Sequence, residues 1–409
     1  MGVVETVRSV VQFKPLELDP VQRRIAKAAS VGDLRRMARR RLPRGVFDYI
    51  DGGAEDERSL ARNVSAFGRL ELNPRVLRDV SAVDTSTTIL GRPAAMPLAL
   101  SPTGFTRIAD PQGELAVARA ANRAGLPYGL STMGTRSIEE VAAVSSGAKW
   151  FQVYTWKDRG LVKDLVDRAA AAGYEAIILT VDTAVLGRRE RDVRRGYTLP
   201  PKIGPGTIVD GILHPAWTLD FLRNPPITFA SVASNNPADD GSSAVTLSEY
   251  MNSQFDAALS WRDVEWLQSV WSGPLVLKGI QSPADAKLAV AAGVQAIALS
   301  NHGGRQLDDA PPVVELIEPV AQEVGGQIEI YCDGGVRRGS DIVKAVALGA
   351  NACMIGRAYL YALGAAGERG VDHVLGFLAQ GMARTMALAG APGVADINRE
   401  LVRWRPPSG

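Results

Sequence analysis

Residues 328–357 read IEIYCDGGVRRGSDIVKAVALGANACMIGR. An apolar run, IEIYCDG, leads into paired glycines, then into the helical pattern GSDIVKAVALGA, and then into a second apolar run, ACMIG. Strand, glycine turn, helix, strand is a βα unit, in which the helix carries the chain back so that the two strands run parallel. The same rhythm extends upstream. Strand patterns fall at Leu98–Ser101, Tyr128–Ser131, Trp150–Tyr154, Ala176–Asp182, Leu275–Gly279 and Ala296–Asn301, and with Ile328–Gly334 and Ala352–Gly356 they make eight. Amphipathic stretches such as GELAVARAANRAG, RGLVKDLVDRAAAAG and SPADAKLAVAAG separate them, several ending on the glycine that closes helices. Eight strands alternating with helices predict an α/β protein of the (β/α)8 TIM-barrel type rather than a doubly wound sheet.

Two segments stand outside the repeat. Residues 1–90 contain helical patterns (VGDLRRMARRRL, EDERSLARNVSAFG) and two short strand-like pieces, read as an N-terminal extension and helical cap over one mouth of a barrel spanning 91–400. The second is an insertion after strand four, about 190–260, far longer than an ordinary βα loop. Its part ILHPAWTLDFLRNPPITFASVAS is apolar but interrupted by Pro215, Asp220, Arg223, Pro225 and Pro226, which excludes a membrane span. The region about 204–232 is read either as a surface for peripheral membrane or partner contact or as a cover folded over the barrel. NNPADDGSS, which follows, has the composition of a flexible connector, and Met1-Gly2 with Thr6 formally fits an acylation pattern.

Composition narrows the function. With 46 Lys and Arg against 44 Asp and Glu, and no long run of like charge, nucleic acid is excluded as the main partner. Two cysteines, Cys332 and Cys353, form neither a disulfide framework nor a C-x-x-C pair, so no structural metal is expected and a reducing, cytoplasmic setting is. The N-terminus lacks the apolar core of a secretory signal.

In barrels of this kind the chemistry stands at the C-terminal ends of the strands. Here these ends carry Ser101-Pro102-Thr103-Gly104, Ser131, Gln152 with Tyr154, Thr180 with Asp182, Lys278, Ser300-Asn301-His302-Gly303-Gly304-Arg305, Asp333-Gly334-Gly335-Val336-Arg337 and Gly356-Arg357. One polar strand end reflects turn chemistry alone, whereas eight together make a ligand-binding face. Glycines and arginines ahead of helices after strands seven and eight give a phosphate site, through backbone N–H groups, helix dipole and guanidinium. His302 is the candidate base, Asp182 its orienting carboxylate, and Arg305 a bidentate grip for a carboxylate substrate. Arg188 and Arg189 offer a second such grip, and Lys278 at the mouth calls for an anion nearby.

With these motifs assembled, SNHGGRQLD and DGGVRRG above all, the chain resembles the FMN-dependent L-2-hydroxy acid oxidizing family over about residues 30–400. FDYIDGGAEDE, SPTG, FQVY, TVDT, LGRRERD and LVLKGI follow in the family's order, and HPAW in the insertion looks most like its bacterial respiratory, quinone-dependent L-lactate dehydrogenase branch. The resemblance implies FMN across the barrel mouth. Pro102, Thr103, Gly104, Ser131, Gln152 and Thr180 would hold the ring edge, with Ser300 among the cofactor contacts. Asp333, Gly334, Gly335, Arg337, Gly356 and Arg357 would hold ribityl and phosphate, and Lys278 would face the ring and stabilise its reduced, anionic form. His302 with Asp182 would be the base, Arg189 and Arg305 would bind the carboxylate, and Tyr49 and Tyr154 would hydrogen-bond carboxylate and hydroxyl. Gly104 stands where several oxidases carry Ala, and Met133 where glycolate oxidase carries Trp. The implied reaction is oxidation of L-lactate to pyruvate with electrons passed to quinone or another non-oxygen acceptor, by a homotetramer peripheral to the inner face of the membrane. The alternative is a 2-hydroxy acid oxidase that uses O2 and forms hydrogen peroxide, with a larger substrate such as mandelate or a long-chain hydroxy acid as one option within it.

Overall fold

The computed structural model describes residues 17–195, 204–233 and 254–405. The connector NNPADDGSS and the Met1-Gly2 acylation pattern lie outside the described residues. Eight strands form one closed, all-parallel barrel: β1 Leu98–Leu100, β2 Tyr128–Ser131, β3 Lys149–Val153, β4 Ala176–Thr180, β5 Leu275–Ile280, β6 Ala296–Leu299, β7 Glu329–Asp333 and β8 Ala352–Ile355. β8 closes on β1 with Cys353 opposite Leu98. The eight-strand reading holds, with β4 ending at Thr180, so that Asp182 stands on the loop above it.

Alternation along the strands produces two cores. Ala99, Trp150, Ala176, Ile178, Val276, Ala296, Ala298, Tyr331, Ala352 and Met354 point inward and fill the barrel. Their neighbours, such as Leu98, Phe151, Ile177, Leu277, Ile297 and Cys353, point outward and pack under the helices. Alanine predominates inside because a small barrel has little room, and the large pair Trp150 and Tyr331 stack at 6.0 Å. Left-handed glycines end the helices Arg159–Ala171 and Pro283–Ala291, at Gly173 and Gly293.

The residues before the barrel divide between its two ends. The helix Arg44–Asp51 ends beside the C-terminal mouth, and Tyr49 and Ile50 line the cavity there. The hairpin Thr87–Ile89/Arg92–Ala94 instead closes the opposite end, where Ile89 is buried against the inward-facing core. The strand Leu70–Leu72 pairs antiparallel with Val402–Trp404 and ties the extension to the C-terminus.

The insertion has two halves. Pro205–Leu213 and Pro215–Arg223 are helices that bury none of their residues, and Ile212, Leu213 and Leu222 are about 70% exposed. Pro215, read from the sequence as an interruption, instead opens the second helix at a first-turn position, where its missing N–H removes no helix bond. Beyond them the described chain turns inward, and Phe229, Ser231 and Val232 are buried. Among the described residues no helix is long and apolar enough to cross a membrane.

Candidate active site

The strand parity that fills the barrel also builds the site. One step above the inward alanines and aromatics, the same parity brings Ser101, Ser131, Gln152, Thr180, Lys278, Ser300, Asp333 and Gly356 to the top of the barrel. Seven of these line a single cavity at the mouth, while Ser300 sits behind its wall. They are knotted together by hydrogen bonds. Gln152 accepts from the Ser131 hydroxyl at 2.9 Å and donates to the Thr180 hydroxyl at 2.9 Å. Ser300 donates to Asp333 at 2.8 Å and accepts from Lys278 at 3.2 Å and from the His302 amide at 3.0 Å. Ser101 also donates to Asp333.

Lys278 and Asp333 form a buried ion pair at 2.8 Å. Burial alone would neutralise both groups, but each is held ionised by its surroundings. Lys278 is raised by the carboxylates of Asp333 and Asp182, and Asp333 is lowered by Lys278 and the serine hydroxyls. The mouth therefore carries a fixed ammonium in a low-dielectric wall.

His302 follows β6 in the left-handed region, φ 56°, a conformation that costs a non-glycine residue energy. The turn aims its Nδ1 at Asp182 Oδ1, 3.0 Å away. A carboxylate only accepts, so Nδ1 carries the proton and Nε2 is left as the basic nitrogen. Asp182 can approach because Gly279 follows Lys278: a Cβ there would sit 2.8 Å from the Asp182 side chain. Gln306 fixes the loops to one another, donating to the carbonyls of Asp182 at 3.0 Å and Val185 at 2.8 Å.

Cations crowd the same cavity. Arg305 donates to the Tyr49 and Gly52 carbonyls at 2.7 and 3.2 Å, and its guanidinium, like that of Arg189, lies over the Tyr49 ring. Burial, and then the nearby Arg189 charge, push Arg305 down to about 9. Arg357 grips the Ile50, Gly303 and Gly52 carbonyls at 2.7–3.0 Å, and burial lowers it too. Arg189 pairs with the buried Asp192 at 2.8 Å. Arg337 lines the cavity beside Gly334 and Gly335. Tyr154 lines it as well, its hydroxyl pushed up by burial and by Asp182. A site this rich in guanidinium selects anions.

The cavity lining thus brings together Tyr49, Pro102, Thr103, Gly104, Tyr154, Arg189, His302, Arg305, Arg337 and Arg357 with the ring of strand ends. Asp182 and Ser300 act from behind it through His302, Lys278 and Asp333. Arg188, offered by the sequence beside Arg189, is exposed and outside the lining, because the turn into the helix Glu190–Arg195 directs only one of the pair inward. Sequence reading missed Asn63, whose side-chain amide pairs reciprocally with Asn301 at 2.7 and 3.0 Å and locks the extension to the His302 loop. Asn301 belongs to the SNHGGR motif, whereas Asn63 lies within the helical pattern EDERSLARNVSAFG, where nothing local marks it off from its polar neighbours.

A family model described as FMN-dependent dehydrogenase matches residues 38–404. An L-lactate dehydrogenase of Caulobacter vibrioides is 43% identical over 383 residues, 93% of this chain and 98% of the relative. Glycolate oxidase 1 of Oryza sativa subsp. indica is 42% identical over 375 residues, 92% of this chain and 95% of the relative. The crystal structure of the monotopic membrane protein (S)-mandelate dehydrogenase superposes with TM-score 0.89 at 39% identity, covering 92% of this chain and all of that one. The chain belongs to the FMN-dependent dehydrogenase family: a (β/α)8 enzyme whose cofactor is FMN and whose reaction is the oxidation of a 2-hydroxy acid.

Proposed function

We propose that the protein oxidises L-lactate to pyruvate and passes the electrons to quinone or another non-oxygen acceptor. The observation that carries this is the His302–Asp182 pair at 3.0 Å in one cavity with Arg189 and Arg305, a base beside two carboxylate grips.

The residues present fit FMN. Gly335, at φ 84°, turns its missing side chain toward the Asn63 carbonyl, 1.9 Å from where a Cβ would stand, and its backbone lines the cavity beside Gly334, Arg337, Gly356 and Arg357, the donor set that a phosphate needs. Gly334, Gly335, Arg337, Gly356 and Arg357 would hold the phosphate and ribityl with Asp333. Pro102, Thr103, Gly104, Ser131, Gln152, Thr180 and Ser300 would serve the ring edge, directly or through their neighbours. Bound there, FMN supplies the two-electron acceptor.

In this reading Arg189 and Arg305 clamp the substrate carboxylate, and Tyr49 and Tyr154 orient carboxylate and hydroxyl. His302 Nε2 takes a proton, from the hydroxyl with hydride transfer or from Cα through a carbanion. Asp182 stabilises the imidazolium that results, as the carboxylate of a catalytic triad does. Lys278 offers its charge to the negative charge that develops beside it.

The exposed apolar helices 205–223 support peripheral attachment to the inner face of the cell membrane, as does the likeness to a monotopic membrane enzyme. A homotetramer in the cytoplasm completes the reading. A second reading, a larger acid, is favoured by Met133 in the cavity lining, a flexible thioether that adapts to a longer side chain. Steady-state turnover decides between them. L-lactate oxidation that reduces a soluble quinone analogue without forming peroxide supports the proposal. Peroxide formation in air identifies an oxidase, and turnover restricted to mandelate or long-chain acids identifies the larger pocket.

A further inference from the structure

The stretch of the insertion from Trp217 to Val232 has no task in the chemistry above, yet it is fastened firmly. The Arg107 guanidinium donates to the Pro225 carbonyl at 2.6 Å and the Pro226 carbonyl at 3.3 Å. The Ala230 amide donates to the Gly134 carbonyl at 3.2 Å, and Arg168 to the Ser231 carbonyl at 2.7 Å. Trp217 donates its indole N–H to the Ile108 carbonyl at 2.7 Å. Arg107 is 8% exposed, and burial lowers its pKa despite the nearby Glu114 and Glu140 carboxylates, so its guanidinium is held against the strap at a cost.

The strap delivers one ring. Phe229, 2% exposed, meets Phe105 edge to face at 4.6 Å. Phe105 follows Gly104 and stands in the left-handed region, φ 56°, which a phenylalanine seldom occupies without support. Its ring meets Tyr49 edge to face at 5.9 Å, and on Tyr49 lean Arg305 at 5.0 Å and Arg189 at 5.5 Å. Phe105, Tyr49 and both arginines line the cavity, whereas Phe229 stands behind it. Close-packed rings transmit displacement rather than absorb it.

We infer that Phe229 is a positioning residue for the substrate: by seating Phe105 against Tyr49, it sets the apolar wall of the substrate pocket and the alignment of the carboxylate clamp. The inference rests on the hydroxy acid reading above. Without the Phe229 ring, Phe105 keeps its backbone hydrogen bonds to Met133 and Ile108 but loses the side-chain contact that seats its ring. Its ring then moves toward the vacated space, the clamp loosens, and the wall recedes.

The test uses FMN-loaded F229A and F229L, with anaerobic flavin reduction followed against concentration for L-lactate and for (S)-mandelate. In F229A the half-saturating L-lactate concentration should rise about tenfold while the limiting rate changes by less than about threefold, since the base is untouched. Preference for the phenyl over the methyl side chain should rise about fivefold, and F229L should recover about half of both shifts. A purely structural role would lower Tm and leave the side-chain preference where it was. Unchanged half-saturation and preference in folded F229A overturn the inference; if F229A does not fold, an unchanged preference in F229L overturns it instead. Wild-type flavin that no 2-hydroxy acid reduces overturns the functional reading first and this inference with it.

Discussion

The barrel mouth buries charge, and the helices of the insertion expose oil. At the mouth, Lys278, Asp333 and Ser300 are at most 7% exposed and bonded to one another, and the buried Gln152 is bonded to Ser131 and Thr180. Between 56 and 66 residues before Lys278 in sequence, Leu222, Leu213 and Ile212 stand about 70% exposed with no buried neighbour in either helix. Each inverts the usual distribution, and each inversion is costly unless something compensates. At the mouth the compensation is internal, by ion pairing and hydrogen bonds. At the helices nothing within the described fold supplies it, which is why the first region reads as chemistry and the second as an attachment surface.

That comparison breaks most sharply at His302. Replacing it with Ala should slow anaerobic flavin reduction by about 10²–10⁴-fold, as general-base removal does, with FMN retained. Stopped-flow absorbance checks this, and near-native reduction would remove His302 from the mechanism. Next is the ion pair: K278M leaves Asp333 charged in a buried wall, and loss of one partner of such a pair costs about 3–5 kcal/mol. Urea unfolding of wild type, K278M and K278M/D333N should show the double variant recovering part of that loss, since it removes the stranded charge.

Asp51 provides a smaller, pH-dependent effect. Burial would raise its pKa, but Arg35, Tyr361 and Arg191 outweigh this and hold it at about 2, against an ordinary 3.8. A carboxylate with a lowered folded pKa contributes stability above its unfolded value and loses it as pH falls through the folded one. D51N should therefore cost about 2 kcal/mol at neutral pH, and the deficit should shrink from about pH 4 down to pH 2, as seen in urea midpoints across pH. The smallest effect belongs to the exposed face. I212D with L222D should move stability by less than about 0.5 kcal/mol per site and leave flavin reduction unchanged, while abolishing co-sedimentation with phospholipid vesicles. Vesicle binding equal to wild type would leave the exposed apolar face without its proposed use.

The sequence disclosed these regions unequally. The barrel was legible because each strand is local, and parity alone carries polar residues such as Thr180, Lys278 and Asp333 to the mouth. His302, Arg305 and Asp182 were legible as strand-end chemistry, while Tyr49 came only from the resemblance, since in its helix it has the pattern of any aromatic. The rest depends on contacts without local period. Asn63 meets Asn301 across 238 residues, and Phe229 meets Phe105 across more than a hundred. The insertion helices were obscured by Pro215, which reads as a breaker in a hydropathy pattern and serves as a helix start in the fold.

The central claim is that the mouth is built to move electrons from an L-2-hydroxy acid to FMN. The most direct measurement mixes the purified yellow protein with L-lactate without oxygen, follows the visible flavin absorbance, and then admits air followed by a quinone. The account predicts rapid bleaching that persists in air and reverses with the quinone. A flavin that stays oxidised with L-lactate, and equally with mandelate and long-chain L-2-hydroxy acids, would contradict it.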